Sequence, residues 1–178
     1  SGQILWQGED KDFMLMSEPE IRPYRGAEVS IIFQEPMSAL NPVLTCGYQL
    51  GEALLAHNKC NKREIQSIAE SWFSKVGLQD PTRIFRSYPH QLSGGQLQRV
   101  LIAIALCCHP KLVIADEPTT ALDVSIQKLI LDLLKKLKDE MDLTLLFISH
   151  DLGVVKSICD RVIVMQNGKI VEQNSSVQ

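Results

Sequence analysis

The sequence predicts an α/β fold in which a parallel sheet forms the core and an all-helical segment is inserted between its strands. Three observations carry this expectation. Short apolar, β-branched runs at 29–33, 112–115 and 144–148 each end in a polar turn, as buried strands do. The last two alternate with a long helical stripe, the rhythm of a parallel α/β sheet. Between Pro36 and Gln91 the pattern reads as helix. With 178 residues, 45% hydrophobic and 22% charged, the chain has the size of one compact domain with a sizeable core. Residues 1–36 and 99–178 are expected to build that core, and residues 37–98 the helical insertion.

Taken in order, QILWQG at 3–8 reads as a short strand, and Ser17 with Glu20 three residues on signals the capping box of a short helix. Val29 to Phe33 is a buried-strand candidate, stopped by the proline of Gln34-Glu35-Pro36. Ile65, Ile68, Ala69, Trp72, Phe73 and Val76 recur at helical spacing as one apolar stripe, with Asn61 and Glu64 as its cap. Leu112 to Ala115 forms the next strand. Ile126, Leu129, Ile130, Leu133, Leu134, Leu137 and Met141 line one face of the following helix, and Lys135, Lys136 and Lys138 lie on its solvated face. Thr144 to Ile148 reads as a further buried strand. Arg161 to Met165 and Lys169 to Glu172 read as a hairpin turning at Asn167-Gly168.

Composition excludes several functions. A net charge of −3 leaves no basic footprint, so nucleic acid held by electrostatics is not expected. No run approaches 18 apolar residues and the first residues lack a basic-then-apolar leader, which leads us to expect a soluble, cytosolic chain. Cys46, Cys60, Cys107, Cys108 and Cys159 are odd in number with no C-x-x-C spacing, so reduced, mostly buried thiols are expected. His57, His90 and His109 show no ligand spacing and read as surface or helix-end residues.

The chemistry concentrates at strand ends. LVIADE at 112–117 is an apolar strand delivering two carboxylates at its C-terminal end, outside which ligands of open α/β sheets bind. Adjacent residues of a strand face opposite ways, so Asp116 suits Mg²⁺ and Glu117 suits activation of water. A pair of helix-capping acids would look the same. Gln34 and His150 end two other strands, where their side chains could converge on those carboxylates. LSGGQ at 92–96, with paired glycines and a serine at a helix start, has the make-up of a phosphate cradle.

Gln34 after its strand, LSGGQ at 92–96, LVIADEP at 112–118, T-A-L-D at 120–123 and ISHD at 148–151 occur in the order and approximate spacing of the ATP-binding-cassette (ABC) nucleotide-binding domain, which the whole chain resembles. FQEPMSALNP at 33–42 and SYPHQLSGGQLQRVLIAIAL at 87–106 look like the ATPase subunits of oligopeptide, dipeptide and nickel importers. The resemblance implies a P-loop NTPase-type, RecA-like parallel sheet core, N-terminally truncated, with an inserted helical signature subdomain. It implies ATP and Mg²⁺ as ligands, with Asp116 and Gln34 at the metal, Glu117 polarising the attacking water, and Gln34 and His150 reading the γ-phosphate. Phosphoryl transfer rests on positioning and charge stabilisation, and these residue types suit it. Leu92, Ser93, Gly94, Gly95 and Gln96 would close in trans over ATP held by a second nucleotide-binding domain, and Asp123 would act across that dimer interface. Residues 37–98 would dock transmembrane permease subunits through the segment after Gln34. The chain would then work peripherally, at the cytoplasmic face of the cell membrane, as a peptide importer's ATPase.

No G-x-x-x-x-G-K-[ST] phosphate loop occurs in the sequence, and the one Gly-Lys pair, Gly168-Lys169, lacks the rest of the motif. In the resembled family that loop precedes the first segment seen in this chain, so the sequence is expected to open inside a domain and to be inactive by itself. Rival readings are a DNA-repair ATPase, a translation-associated cassette and a degenerate, non-catalytic cassette. Only 57 residues, 35–91, separate Gln34 from Leu92, too few for the long coiled coil of the DNA-repair class. The absence of a basic linker counts against the translation-associated class, and Glu117 with His150 against degeneracy in a complete protein.

Overall fold

The computed structural model describes residues 2–6, 12–120 and 122–175. Eight α-helices run through the described residues: α1 (Glu18–Ile21), α2 (Pro36–Ala39), α3 (Cys46–Ala56), α4 (Ile65–Lys75), α5 (Pro81–Arg86), α6 (Gly94–Leu106), α7 (Val124–Met141) and α8 (Leu152–Ile158). The strands are β1 (Val29–Ile32), β2 (Leu112–Asp116), β3 (Thr144–Ile148), β4 (Arg161–Gln166) and β5 (Lys169–Ser175).

Strands β1, β2 and β3 form one parallel sheet in that order, and β4 and β5 a separate antiparallel hairpin. Register aligns Ile32 with Ala115 and Ala115 with Phe147, so the three strand ends lie side by side. Parallel neighbours need long crossovers. Helices α2–α6 fill the first, between β1 and β2, and α7 fills the second.

One sheet face is covered and the other open. Ile32, Val113 and Ala115 are buried against a core that includes Val100, Ile102, Ala103 and Leu106 of α6 and Ile130, Leu134 and Leu137 of α7. On the opposite face Ile31, Leu146 and Ile148 are each more than 40% exposed. The expectation of buried strands is therefore corrected: none of the β3 side chains is fully buried, and of the run at 29–33 Ile31 and Phe33 are exposed, because only one face of the sheet is covered. Leu129 is corrected too, since it is 51% exposed, and Leu131 instead packs against the core. Lys138 is not simply solvated either, because its Nζ stands 2.7 Å from Asp160, whose carboxylate raises its pKa.

Local signals were mostly realised. Glu20 Oε2 accepts the Ser17 backbone N–H at 2.9 Å and its hydroxyl at 2.7 Å, the expected start of α1. Glu64 is the N-cap residue of α4 and its Oε2 accepts the Asn61 backbone N–H at 3.0 Å, but the Asn61 side chain does not cap the helix. That side chain accepts from the Arg63 N–H in a local turn, and the helix begins only after Glu64. An Asn side chain that can satisfy a nearby backbone N–H competes with helix initiation in this way. The hairpin turns at Asn167 and Gly168, with φ of +50° and +73°, and β5 runs on to Ser175. The positive φ at both positions matches the twist of its strands. The expected strand at 3–8 is reduced to a single bridge between Leu5 and Asp12, with Gln7 and Gly8 outside the described residues.

Phe73, in the stripe of α4, is among the described residues the largest side chain with no solvent exposure. Phe73→Ala is expected to cost about 3–5 kcal/mol of unfolding free energy, since it removes a ring and leaves a cavity. Urea denaturation measures this, and a loss below about 1 kcal/mol would show that the helical segment is not part of the cooperative core.

Candidate functional site

The parallel sheet carries its polar side chains at one end. Gln34 lies two residues beyond β1, Glu117 one residue beyond β2 and His150 two residues beyond β3. Glu117 is the hub where they meet. Its Oε2 accepts the Gln34 amide at 2.9 Å and the Thr120 hydroxyl at 2.9 Å, and its Oε1 lies 2.8 Å from His150 Nδ1. The Glu117 backbone N–H donates to Ile148 O at 3.0 Å, tying the turn after β2 to the end of β3. Glu117 has φ of +44°, in the left-handed region. An L-residue is held there only when its surroundings over-determine it, and such strain clusters at functional positions.

Electrostatics follow from these contacts. The hydrogen bond from His150, then that from Thr120, lowers the Glu117 pKa. The same contact with Glu117 raises that of His150. Burial first, and then nearby cations, push His57 and His109 the other way. His150 therefore stabilises the fold fully below its ordinary value of 6.5, and that contribution is lost as pH rises through its raised folded value. Glu117, depressed, contributes above its ordinary 4.5 and loses that contribution as pH falls through its folded value. The pair is fully charged between those two limits. In a histidine NMR titration we expect His150 to titrate above 6.5, His57 and His109 below it, and Glu117→Gln to bring His150 back down. A His150 midpoint at or below 6.5 would contradict the contact.

Asp116 ends β2, exposed. Together with the Gln34 side chain it offers one carboxylate and one amide oxygen, the sparse hard-oxygen set that suits Mg²⁺, which keeps several waters and takes its other ligands from phosphate. No group of three or more His, Cys, Asp or Glu among the described residues could hold a metal by itself. The residues present thus fit a metal carried in with a phosphate ligand.

The LSGGQ turn is built separately. Leu92 is buried, and Ser93 is the N-cap of α6 in a reciprocal pair: the Ser93 N–H donates to Gln96 Oε1 at 3.0 Å and the Gln96 N–H to Ser93 Oγ at 3.4 Å. Gly95 has no room for a side chain, because a Cβ there would meet Ile126 Cγ2 at 2.8 Å. The first turn of α6 is thereby pressed against α7, with Ser93 and Gly94 exposed. No hydrogen bond among the described residues joins Ser93 or Gln96 to the Glu117 cluster. Asp123 caps α7, accepting from the Ile126 N–H at 3.0 Å and the Ser125 hydroxyl at 2.9 Å, which lowers its pKa. Ala121, within T-A-L-D, lies outside the described residues.

Thr120 is the contact that reading the sequence missed as a site residue. A hydroxyl three residues after an acid, across the Pro118 turn, was the available signal.

A family model described as ABC transporter matches residues 1–120. The chain is 52% identical over 171 residues to the dipeptide transport ATP-binding protein DppD of Bacillus subtilis, covering 96% of this chain and 50% of that protein. It is 48% identical to the oligopeptide transport ATP-binding protein OppD of the same organism, covering 96% and 47%. The chain thus spans about half the length of the curated relatives it matches. Among solved structures, the dimeric ATP-binding cassette MJ0796 in a post-hydrolysis state, bound to ADP and Pi, superposes with a TM-score of 0.82 at 28% identity, covering 96% of this chain and 72% of that one. CbiO1 from Clostridium perfringens, part of the transporter complex cbiONQ, superposes at 0.81 and 28% identity, covering 99% and 66%.

Proposed function

Since this chain belongs to the ABC transporter family, we propose that it serves as part of the ATP-binding subunit of a peptide importer, coupling ATP hydrolysis to transport through a permease. The observation that carries the catalytic part is the meeting of Gln34, Thr120 and His150 on one carboxylate, that of Glu117, at three adjacent strand ends. The peptide-transport names of relatives at about half identity support the substrate class.

The geometry supports the following roles. Glu117 accepts a proton from the attacking water, and its left-handed backbone and three donors hold it at the sheet end. These same donors weaken it as a base, so a bound phosphate and metal that draw the Gln34 amide away raise its basicity when substrate is in place. His150 has Nδ1 committed to Glu117, which leaves Nε2 for a γ-phosphate oxygen. Both nitrogens donate only in the imidazolium form, and the Glu117 carboxylate favours that form. Asp116 and Gln34 would hold Mg²⁺, which when bound neutralises charge on the phosphates.

The signature turn serves a second cassette. The exposed Ser93 hydroxyl and the free N–H groups of Gly94 and Gly95 at the positive end of α6 suit a phosphate presented from outside the chain. Leu92 anchors the turn, Gln96 keeps Ser93 in place, and Asp123 supports the facing surface. In this reading residues 1–36 and 99–178 are a RecA-like core, and 37–98 a helical subdomain that docks the permease at the cytoplasmic side of the membrane. No helix among the described residues is long and apolar enough to cross a membrane.

The test is transport. The full-length protein, reconstituted in vesicles with its permease and partner cassette, is expected to drive MgATP-dependent uptake of labelled short peptides. ATP-driven uptake of a non-peptide solute with none of peptide would overturn the substrate class.

A further inference from the structure

Neighbouring residues of a helix point roughly 100° apart, so two consecutive cysteines inside one do not bring their sulfurs together. At the end of α6 the backbone leaves the helix: Cys107 is its C-cap and Cys108 lies in the turn leading to His109, whose φ is +57°. There the two sulfurs face each other at 3.9 Å, with both residues buried. The Cys107 thiol donates to Ile104 O at 3.2 Å, and that of Cys108 to Ala53 O of α3 at 3.5 Å. Half-buried Cys60, in the loop before α4, lies within electrostatic reach of the pair.

We propose that Cys107 and Cys108 form a dithiol site for a soft, sulfur-seeking element, trivalent arsenic being the type, bound as one atom bridging the two sulfurs. Across the 3.9 Å gap, two bonds of about 2.3 Å, the length of a metal–thiolate bond, meet at roughly 116°. Trivalent arsenic keeps a lone pair and is pyramidal, so a narrower angle is preferred and binding draws the two sulfurs slightly together from 3.9 Å. A direct disulfide fits less well, because consecutive Cα atoms stand about 3.8 Å apart and disulfides usually span about 4.4–6.8 Å. Contact between the two sulfurs, and then Lys59, favours formation of a first thiolate within the pair against burial. Cys46, pushed by burial to about 11, is a poor competitor.

With phenylarsine oxide as the probe, two S–H bonds break, two As–S bonds form, and the arsenic-bound oxygen leaves as water with both thiol protons. Arsenic stays trivalent and no electrons are transferred. The site is independent of the nucleotide chemistry proposed above.

The experiment titrates the folded 178-residue chain with phenylarsine oxide, followed by intact mass, by alkylation mapped to each cysteine, and by thermal melting. We expect uptake of one equivalent, protection of Cys107 and Cys108 together, a raised Tm through binding to the native state, and release by a dithiol but not a monothiol. Cys108→Ser should weaken capture by about 10²-fold or more, the loss of an intramolecular second bond, while Cys60→Ser leaves it in place. If Cys108→Ser does not fold, the protection map of the unsubstituted chain decides alone. Protection centred on Cys60 or Cys46, no uptake by the folded chain, or closure of Cys107 to Cys108 by hydrogen peroxide without arsenical capture would each overturn the proposal.

Discussion

In the full-length protein, Glu117→Gln is expected to slow ATP hydrolysis by about 10² to 10⁴-fold while nucleotide binding changes little, the effect of removing a general base. The substitution is nearly isosteric, so it tests the charge and not the packing. Glu117 receives donors from three directions, from Gln34, Thr120 and His150, and a glutamine can keep at most part of that pattern with its single acceptor oxygen. The measurement is a pair: steady-state hydrolysis and equilibrium nucleotide binding on the same preparation. An equal loss in both would move Glu117 to the metal, in the role proposed for Asp116.

The second large effect concerns affinity. The 178-residue chain by itself is expected to bind MgATP thousands-fold more weakly than an intact cassette. A phosphate loop supplies several charge-assisted hydrogen bonds of about 1.5–3 kcal/mol each, and three of them amount to roughly 5 kcal/mol or more. The sequence contains no such motif, and its one Gly-Lys pair, Gly168-Lys169, turns the β4–β5 hairpin. Calorimetry measures this directly, and saturable binding at micromolar MgATP would contradict it.

Much of this architecture was legible in the sequence because it rests on local signals. Strands β1, β2 and β3 fell within a residue of their apolar runs, since each is bounded by Gln34-Glu35-Pro36, Asp116-Glu117-Pro118 or Ser149-His150-Asp151. The convergence of Gln34, Glu117 and His150 was anticipated because parallel strands align their C-terminal ends. What stayed hidden depends on tertiary surroundings. Leu146 and Ile148 look like core residues in any window, and only the uncovered sheet face shows otherwise. Leu129 fits the periodicity of α7 and still faces solvent, because the position of α6 decides which side of the stripe is covered. Lys138 finds Asp160 across 22 positions of chain, and the Thr120 contact requires the left-handed turn at Glu117. Neither leaves a periodic trace.

In the proposed mechanism Glu117 works in this chain's own site, while Ser93 closes over a nucleotide held by a second cassette. Alkylation of Ser93→Cys in the full-length Glu117→Gln protein, quantified by peptide mass spectrometry with and without ATP, tests that division directly. ATP is expected to slow alkylation at position 93 only when the partner cassette is present at concentrations that allow pairing. ATP protection of position 93 in the unpaired protein would contradict it.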